Sequence, residues 1–275
     1  MKSIFTSILL LSLVAVAQAQ TIGLELYSLR KQFEKDPVQA LALIQRWGVT
    51  ELEGGSTYGM SMEEFKAQLS NHQLHMVAIG ADYQELSQDL TPLIEKARAF
   101  GARYVVCFWI PHQSPFTFEH ARNAVEVFNK AGATLAKAGL TFAYHPHGYE
   151  FGAWEKGTLM DYIISGTDKK SVSYEMDVYW VKQAGQSPVA WLERYPDRFS
   201  LLHLKDRLKG TADTTNGQAD EETNVTLGQG DVDIAAIMKV AGRIGVKHYF
   251  IEDESSKVVE QVPLSLEYLR NLPRK

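Results

Sequence analysis

Four short apolar runs of this chain end in side chains able to bind a divalent cation or carry a proton. Leu140-Thr141-Phe142-Ala143-Tyr144 leads into His145-Pro146-His147-Gly148-Tyr149-Glu150, two imidazoles and a carboxylate within six residues. The other three are Ser173-Tyr174-Glu175-Met176-Asp177, Leu201-Leu202-His203-Leu204-Lys205-Asp206 and Tyr249-Phe250-Ile251-Glu252-Asp253-Glu254. If these ends converge, Glu150, Asp177, His203 and Glu252 surround one point. Three oxygen donors and one imidazole suit a hard or borderline ion: Mn²⁺, Mg²⁺, Co²⁺ or Zn²⁺. On a six-coordinate ion they leave two positions open, enough for adjacent oxygens of a polyol or hydroxyketone. Singly, each residue has an ordinary alternative. An acid at a strand end often caps the next helix, and a strand histidine is often a satisfied core residue.

Such convergence requires an architecture that brings strand ends together. Apolar runs recur at 22–27, 49–53, 74–80, 103–109, 140–145, 172–177, 199–204 and 247–252, with amphipathic stretches of helical period between most of them. Asp36-Pro37, the capping box Ser61-Met62-Glu63-Glu64 and Thr91-Pro92 open helices. Gly48, Gly101, Gly139 and Gly245 close them shortly before a strand. The alternation predicts parallel strands, and eight of them in residues 20–275 predict a single-domain (β/α)8 TIM barrel. A doubly wound sheet would more often carry a glycine-rich turn after its first strand. Here that turn is Leu26-Tyr27-Ser28-Leu29-Arg30. Residues 207–230 break the pattern and follow the seventh strand, as either a lid or a solvated insertion.

Residues 1–19 read as a signal peptide: Lys2, an apolar stretch from Ile4 to Val16, then Ala17-Gln18-Ala19. No cysteine follows that could take a lipid, so the expectation is an exported protein, periplasmic or secreted, without a membrane anchor. A formal charge of −5 argues against a nucleic-acid surface. The single Cys107 permits no internal disulfide and reads as a buried, inert thiol.

The chain resembles the sugar phosphate isomerase/epimerase family, the xylose-isomerase-like TIM barrels that include ketose 3-epimerases, inosose dehydratase and endonuclease IV. The resemblance rests on Leu26-Tyr27-Ser28-Leu29-Arg30, His145-Pro146-His147-Gly148-Tyr149-Glu150-Phe151 and Asp177-Val178-Tyr179-Trp180. It continues through Leu202-His203-Leu204-Lys205-Asp206, Gly228-Gln229-Gly230-Asp231-Val232-Asp233 and Ile251-Glu252. It implies that Glu150, Asp177, His203 and Glu252 bind the metal. The strand-five motif commonly begins His-Asn-His, and His145-Pro146-His147 departs from it, leaving His147 as the reserve ligand. Glu150 and Glu252 would remove and return a proton beside a polarised carbonyl, with Lys205 holding the enolate or a hydroxyl. Glu25, Tyr27, Arg30, Glu53, His112, His145, His147 and Trp180 would shape the substrate pocket.

The resemblance points first to an isomerase or epimerase acting on a small-molecule carbohydrate through an enediolate. Strand-end loops without a dense Lys/Arg cluster favour an unphosphorylated sugar or oxo-sugar. The alternative is an exported lyase or hydratase that eliminates from 3-oxo-glycosides with the same site. A non-catalytic sugar-binding barrel and an endonuclease-IV-like phosphodiesterase are further readings. Relatives often form homodimers.

Overall fold

Eight parallel strands form a closed barrel, and each of the eight apolar runs supplies one. In the computed structural model, which describes residues 21–273, they are β1 (Ile22–Glu25), β2 (Glu51–Gly54), β3 (His75–Ala81) and β4 (Tyr104–Cys107). The second half comprises β5 (Thr141–Tyr144), β6 (Val172–Asp177), β7 (Phe199–Leu204) and β8 (His248–Ile251). Each strand pairs with its neighbours in sequence, and β1 pairs with β8 to close the ring. The leader expected over residues 1–19 lies outside the described residues. Among those residues no helix is long and apolar enough to cross a membrane.

Strand alternation divides the side chains between two faces. Leu24, Leu52, Cys107, Tyr144, Met176 and Ile251 join one core with helix residues such as Leu41, Phe65 and Phe128. Burial there pushes the Cys107 thiol up to about 12, as an inert thiol requires. A separate cluster of Val77, Ala78, Val106, Ala143, Leu201 and Phe250 fills the barrel interior. Two residues beyond Ala143, Leu201 and Phe250 come His145, His203 and Glu252. The strand period alone therefore carries the apolar interior into a polar site.

Helix boundaries follow their caps. Asp36 accepts from Gln39 N at 3.0 Å ahead of Pro37–Arg46, and Ser61 and Glu64 form the capping box of Met62–Asn71. Thr91-Pro92 opens Thr91–Phe100. Gly48, Gly101, Gly139 and Gly245 adopt φ of 76°, 74°, 81° and 82°, the left-handed conformation that ends a helix.

Residues 207–230 are stapled at both ends. Asp206-Arg207 and Asn224-Val225 pair as an antiparallel ribbon. The buried Asp206 carboxylate accepts four backbone N–H bonds, from Arg207 (2.8 Å), Gly228 (2.8 Å), Gly230 (2.9 Å) and Val232 (3.1 Å). A Cβ on Gly230 would lie 2.1 Å from Asp206 Oδ1, so the motif needs glycine for this close approach. Arg207 forks onto Asp231 at 3.0 and 2.8 Å and reaches Asp213 at 2.7 Å. Asp206→Ala strands these donors and is expected to cost roughly 2–4 kcal/mol. Thermal unfolding should show a melting temperature lower by about 5–15 °C, with earlier proteolysis within 208–227. An unchanged melt would mean that the staple carries no stability.

Candidate metal centre

β5 leads directly into His145, β6 ends in Asp177, β7 carries His203 and β8 leads into Glu252. Each offers a ligand atom, and the four atoms all lie within 4.8 Å of one another. His145 Nε2 is 3.1 Å from His203 Nδ1 and 3.6 Å from Asp177 Oδ2. His203 Nδ1 is 3.2 Å from Glu252 Oε2 and 4.0 Å from Asp177 Oδ2. Asp177 caps the helical turn that follows β6, its Oδ1 accepting from Tyr179 N (2.7 Å) and Trp180 N (3.0 Å). Its Oδ2 is buried without a hydrogen-bond partner, a costly state unless a positive group completes it. On the other side of the ring, His203 Nε2 hydrogen-bonds Glu53 Oε2. Desolvation works to lower the His203 imidazole, but Glu175, Glu53 and the bond to Glu252 outweigh it and hold the ring well above its usual range, donating from both nitrogens. An ion that displaced the Nδ1 proton would take that nitrogen while Nε2–H stayed on Glu53, the way a carboxylate orients a metal-binding imidazole. Two imidazole nitrogens and two carboxylates fit Mn²⁺, Co²⁺ or Zn²⁺ well, and Mg²⁺ less well.

Burial opposes charge at each of these groups, and the neighbours decide the outcome. Desolvation holds His145 well below the usual imidazole range and lowers His147 to about 3, so both rings are neutral. Burial raises Asp177 to about 6 against the pull of Lys205. Burial also works to raise Glu252, but Lys205 and the His203 hydrogen bond outweigh it and hold the carboxyl well below its usual range. Desolvation of Lys205 is outweighed in turn by Glu252 and Glu254, and its ammonium persists. Lys205 Nζ lies 3.4 Å from Glu252 Oε2 and hydrogen-bonds Glu254. The group faces a cavity of about 490 Å³, one wall of which is the strap segment Gly217–Glu221 with Asn224.

The sequence model of the xylose isomerase-like TIM barrel family matches residues 41–272. The chain belongs to that family. A curated relative, the inosose dehydratase of Geobacillus kaustophilus (strain HTA426), is 22% identical over 215 residues, 70% of this chain and 68% of that one. A sugar phosphate isomerase/epimerase from Parabacteroides distasonis ATCC 8503 superposes with a TM-score of 0.75 at 26% identity, covering 94% of this chain and 99% of that one. The IolI protein solved with a zinc atom shares the fold at 13% identity, with a TM-score of 0.69 over 91% of this chain and 96% of that one.

In this xylose isomerase-like barrel the cavity lies at the C-terminal strand ends, as the fold dictates. Asp177, His203 and Glu252 are brought together as expected from the sequence; Glu150 is not among them. The Tyr149–Phe151 turn carries Glu150 off the strand line, and its carboxylate accepts from the Tyr144 hydroxyl and from His147 N at 3.1 and 3.2 Å. Burial raises it to about 7. His145, expected only as a pocket residue, occupies the fourth place. Lys205, His147, Glu25, Tyr27 and Trp180 line the cavity.

Three expected pocket residues do not line it. Glu53 is fully buried under His203. Arg30 is held by Glu221 at 2.7 Å and by the carbonyls of Tyr27 and Glu254. His112 hydrogen-bonds the Ile110 carbonyl at 2.8 Å and packs among Trp109, Phe116 and Tyr149. Sequence reasoning assigned no role to Glu175 or Glu254, which approach His203 Nε2 and Lys205 Nζ respectively. Each lies two residues from a recognised site residue, on the same face of its strand or strand extension, and that parity was the available signal.

Proposed function

We propose that this barrel removes the proton beside the carbonyl of an unphosphorylated oxo-sugar and expels a substituent from the next carbon, as a lyase or dehydratase. The carrying observation is that Glu252 stands at the centre and Glu150 does not. Proton exchange between two opposed glutamates, the simplest route to epimerisation, has lost one partner; elimination needs one base. The dehydratase named among the curated relatives supports this reading, as does the zinc-containing fold neighbour for the metal.

His145, Asp177, His203 and Glu252 would hold a divalent ion, which when bound supplies Lewis-acid polarisation of the substrate carbonyl. Glu252, kept ionised by Lys205, takes the proton, a role worth roughly 10²–10⁴-fold in rate. The Lys205 ammonium stabilises the oxygen on which charge develops. His145 Nδ1 lies 3.3 Å from His147 Nδ1. With His145 Nε2 facing the centre, its Nδ1–H donates to His147, which leaves His147 Nε2–H to donate into the cavity. There it would bind a sugar hydroxyl or the departing oxygen.

The cavity's charge favours a neutral substrate. Glu25, Asp220, Glu221, Glu252 and Glu254 line it against Lys205, whose ammonium is already engaged. A phosphate would have to compete with Glu252 and Glu254 for Lys205 and with Glu221 for Arg30. Trp109, Trp180 and the half-exposed Tyr27 offer apolar faces to a sugar ring. Export, expected from residues 1–19, would place the enzyme among free glycosides.

Incubation with 3-oxo-glycosides in D₂O, with and without chelator, tests the proposal. The C2 proton should be lost, the aglycone should leave C1, a C1=C2 bond should form, and chelator should stop release. Deuterium at the α-carbon without release would instead favour the isomerase/epimerase reading, to which the Parabacteroides relative points. Neither deuterium nor release from metal-replete protein would sink both.

A further inference from the structure

Beneath the candidate centre the barrel encloses three carboxylates around a single ring N–H. Glu25 on β1, Glu53 on β2 and Glu175 on β6 are 7%, 0% and 0% exposed. Ligand atoms of Glu25, Glu53 and His203 lie within 4.8 Å of one another, and Glu175 Oε2 is 3.4 Å from His203 Nε2. The ring N–H is engaged by Glu53 Oε2, and Glu25 Oε1 accepts from Tyr27 N at 3.2 Å. Glu25 Oε2, Glu53 Oε1 and both oxygens of Glu175 are buried and have no hydrogen-bond partner. The ammonium of Lys205 belongs to Glu252 and Glu254. Buried carboxylates must be neutralised, paired or coordinated, and burial raises the Glu25 and Glu175 carboxyls well above their usual range, so an ion would enter in exchange for protons.

We propose that Glu25 and Glu53, whose ligand atoms converge beside His203, form a second divalent-cation site under the first, with Glu175 drawn in from beside His203 Nε2 to complete it. His203 Nδ1 serves the upper ion, and its Nε2–H holds Glu53 for the lower one. An all-oxygen donor set selects a hard cation, Mg²⁺ or Mn²⁺, over Zn²⁺. Glu25 lines the open cavity beside His203, which gives the ion a way in. Occupancy of the lower site would fix the Glu53–His203 hydrogen bond and so orient the imidazole above. The inference does not depend on which reaction the upper site performs.

Metal-stripped wild type, Glu175→Gln and His145→Ala should be equilibrated with MnCl₂, freed of unbound ion and counted by elemental analysis, with electron paramagnetic resonance in parallel. Two Mn²⁺ per chain and a spin-coupled spectrum are expected for wild type, and one uncoupled Mn²⁺ for each variant. Glu175→Gln that binds as much Mn²⁺ as wild type overturns the lower site, because its carboxyls then hold protons. One ion in wild type that His145→Ala loses and Glu175→Gln keeps leaves the upper site standing and overturns the lower. The reverse pattern supports the lower site and sinks the upper. No bound Mn²⁺ in wild type overturns both. Should Glu175→Gln fail to melt cooperatively, Glu25→Gln, at the cavity edge of the same cluster, takes its place with the same expected count.

Discussion

Glu252→Gln should lower kcat by roughly 10²–10⁴-fold, whereas Glu150→Gln should stay within about tenfold of the parent. The two glutamates sit in environments that separate their roles. Glu252 lines the cavity with its carboxylate 3.2 Å from His203 Nδ1 and 3.4 Å from Lys205 Nζ. Glu150 turns into the protein, against the Tyr144 hydroxyl and His147 N. Because burial raises Glu150 to about 7, its neutral form is well populated near neutrality, and glutamine is a close substitute for that form. Exchange of the α-hydrogen into solvent, counted as label released to water from a C2-deuterated substrate, is the direct readout, since it follows the base whether the enolate then expels its substituent or is reprotonated. Bound metal should be measured on the same samples, because Glu252 also belongs to the candidate ligand group. If Glu150→Gln loses as much exchange as Glu252→Gln while melting normally, Glu150 acts at the centre and the elimination reading loses its support.

Why the sequence pointed to Glu150 is instructive. Strands were legible because each apolar run is bounded by a helix-ending glycine or a polar turn, and a period of two then fixes which residues point inward. His145 follows Tyr144 directly, and Asp177, His203 and Glu252 lie on or one residue past a strand, so their direction is set by the strand itself. Glu150 lies six residues beyond the last residue of β5, past Gly148 at φ 93° and on a separate turn. There its direction is set by tertiary contacts that no periodicity encodes. Glu53, expected to shape the pocket, faces inward but lies under His203, because how deep along the barrel axis a side chain sits depends on strand stagger. Arg30 shows another limit. Its partner Glu221 comes from the strap, 191 positions later in the chain, and nothing local distinguishes a free guanidinium from a paired one. The strap's order was equally hidden, since it comes from four backbone donors on one carboxylate.

Lys205→Met should both destabilise the protein and shift its pH profile. Lys205 is 1% exposed, with its ammonium 5.3 and 5.7 Å from the Tyr179 and Trp180 rings and its charge matched by Glu252 and Glu254. Breaking a buried pair by removing one partner typically costs about 3–5 kcal/mol, because the other charge is left uncompensated. For a barrel of this size that corresponds to a fall of about 6–20 °C in melting temperature. The sign with pH follows from the two shifts. Glu252 is depressed in the folded state, so its contribution is present above the unfolded carboxylate value and fades as pH falls through the folded one. Lys205 is raised, so its contribution is present below the unfolded lysine value and fades as pH rises through the folded one. The deficit of the variant should therefore be widest between about pH 5 and pH 10 and narrow on either side. With the ammonium gone, the Glu252 carboxyl rises, so the acid limb of kcat/KM moves to higher pH. A merely structural lysine would lower the melt without moving that limb. A variant that melts and titrates like wild type would show that Lys205 neither holds the two glutamates nor keeps the base ionised.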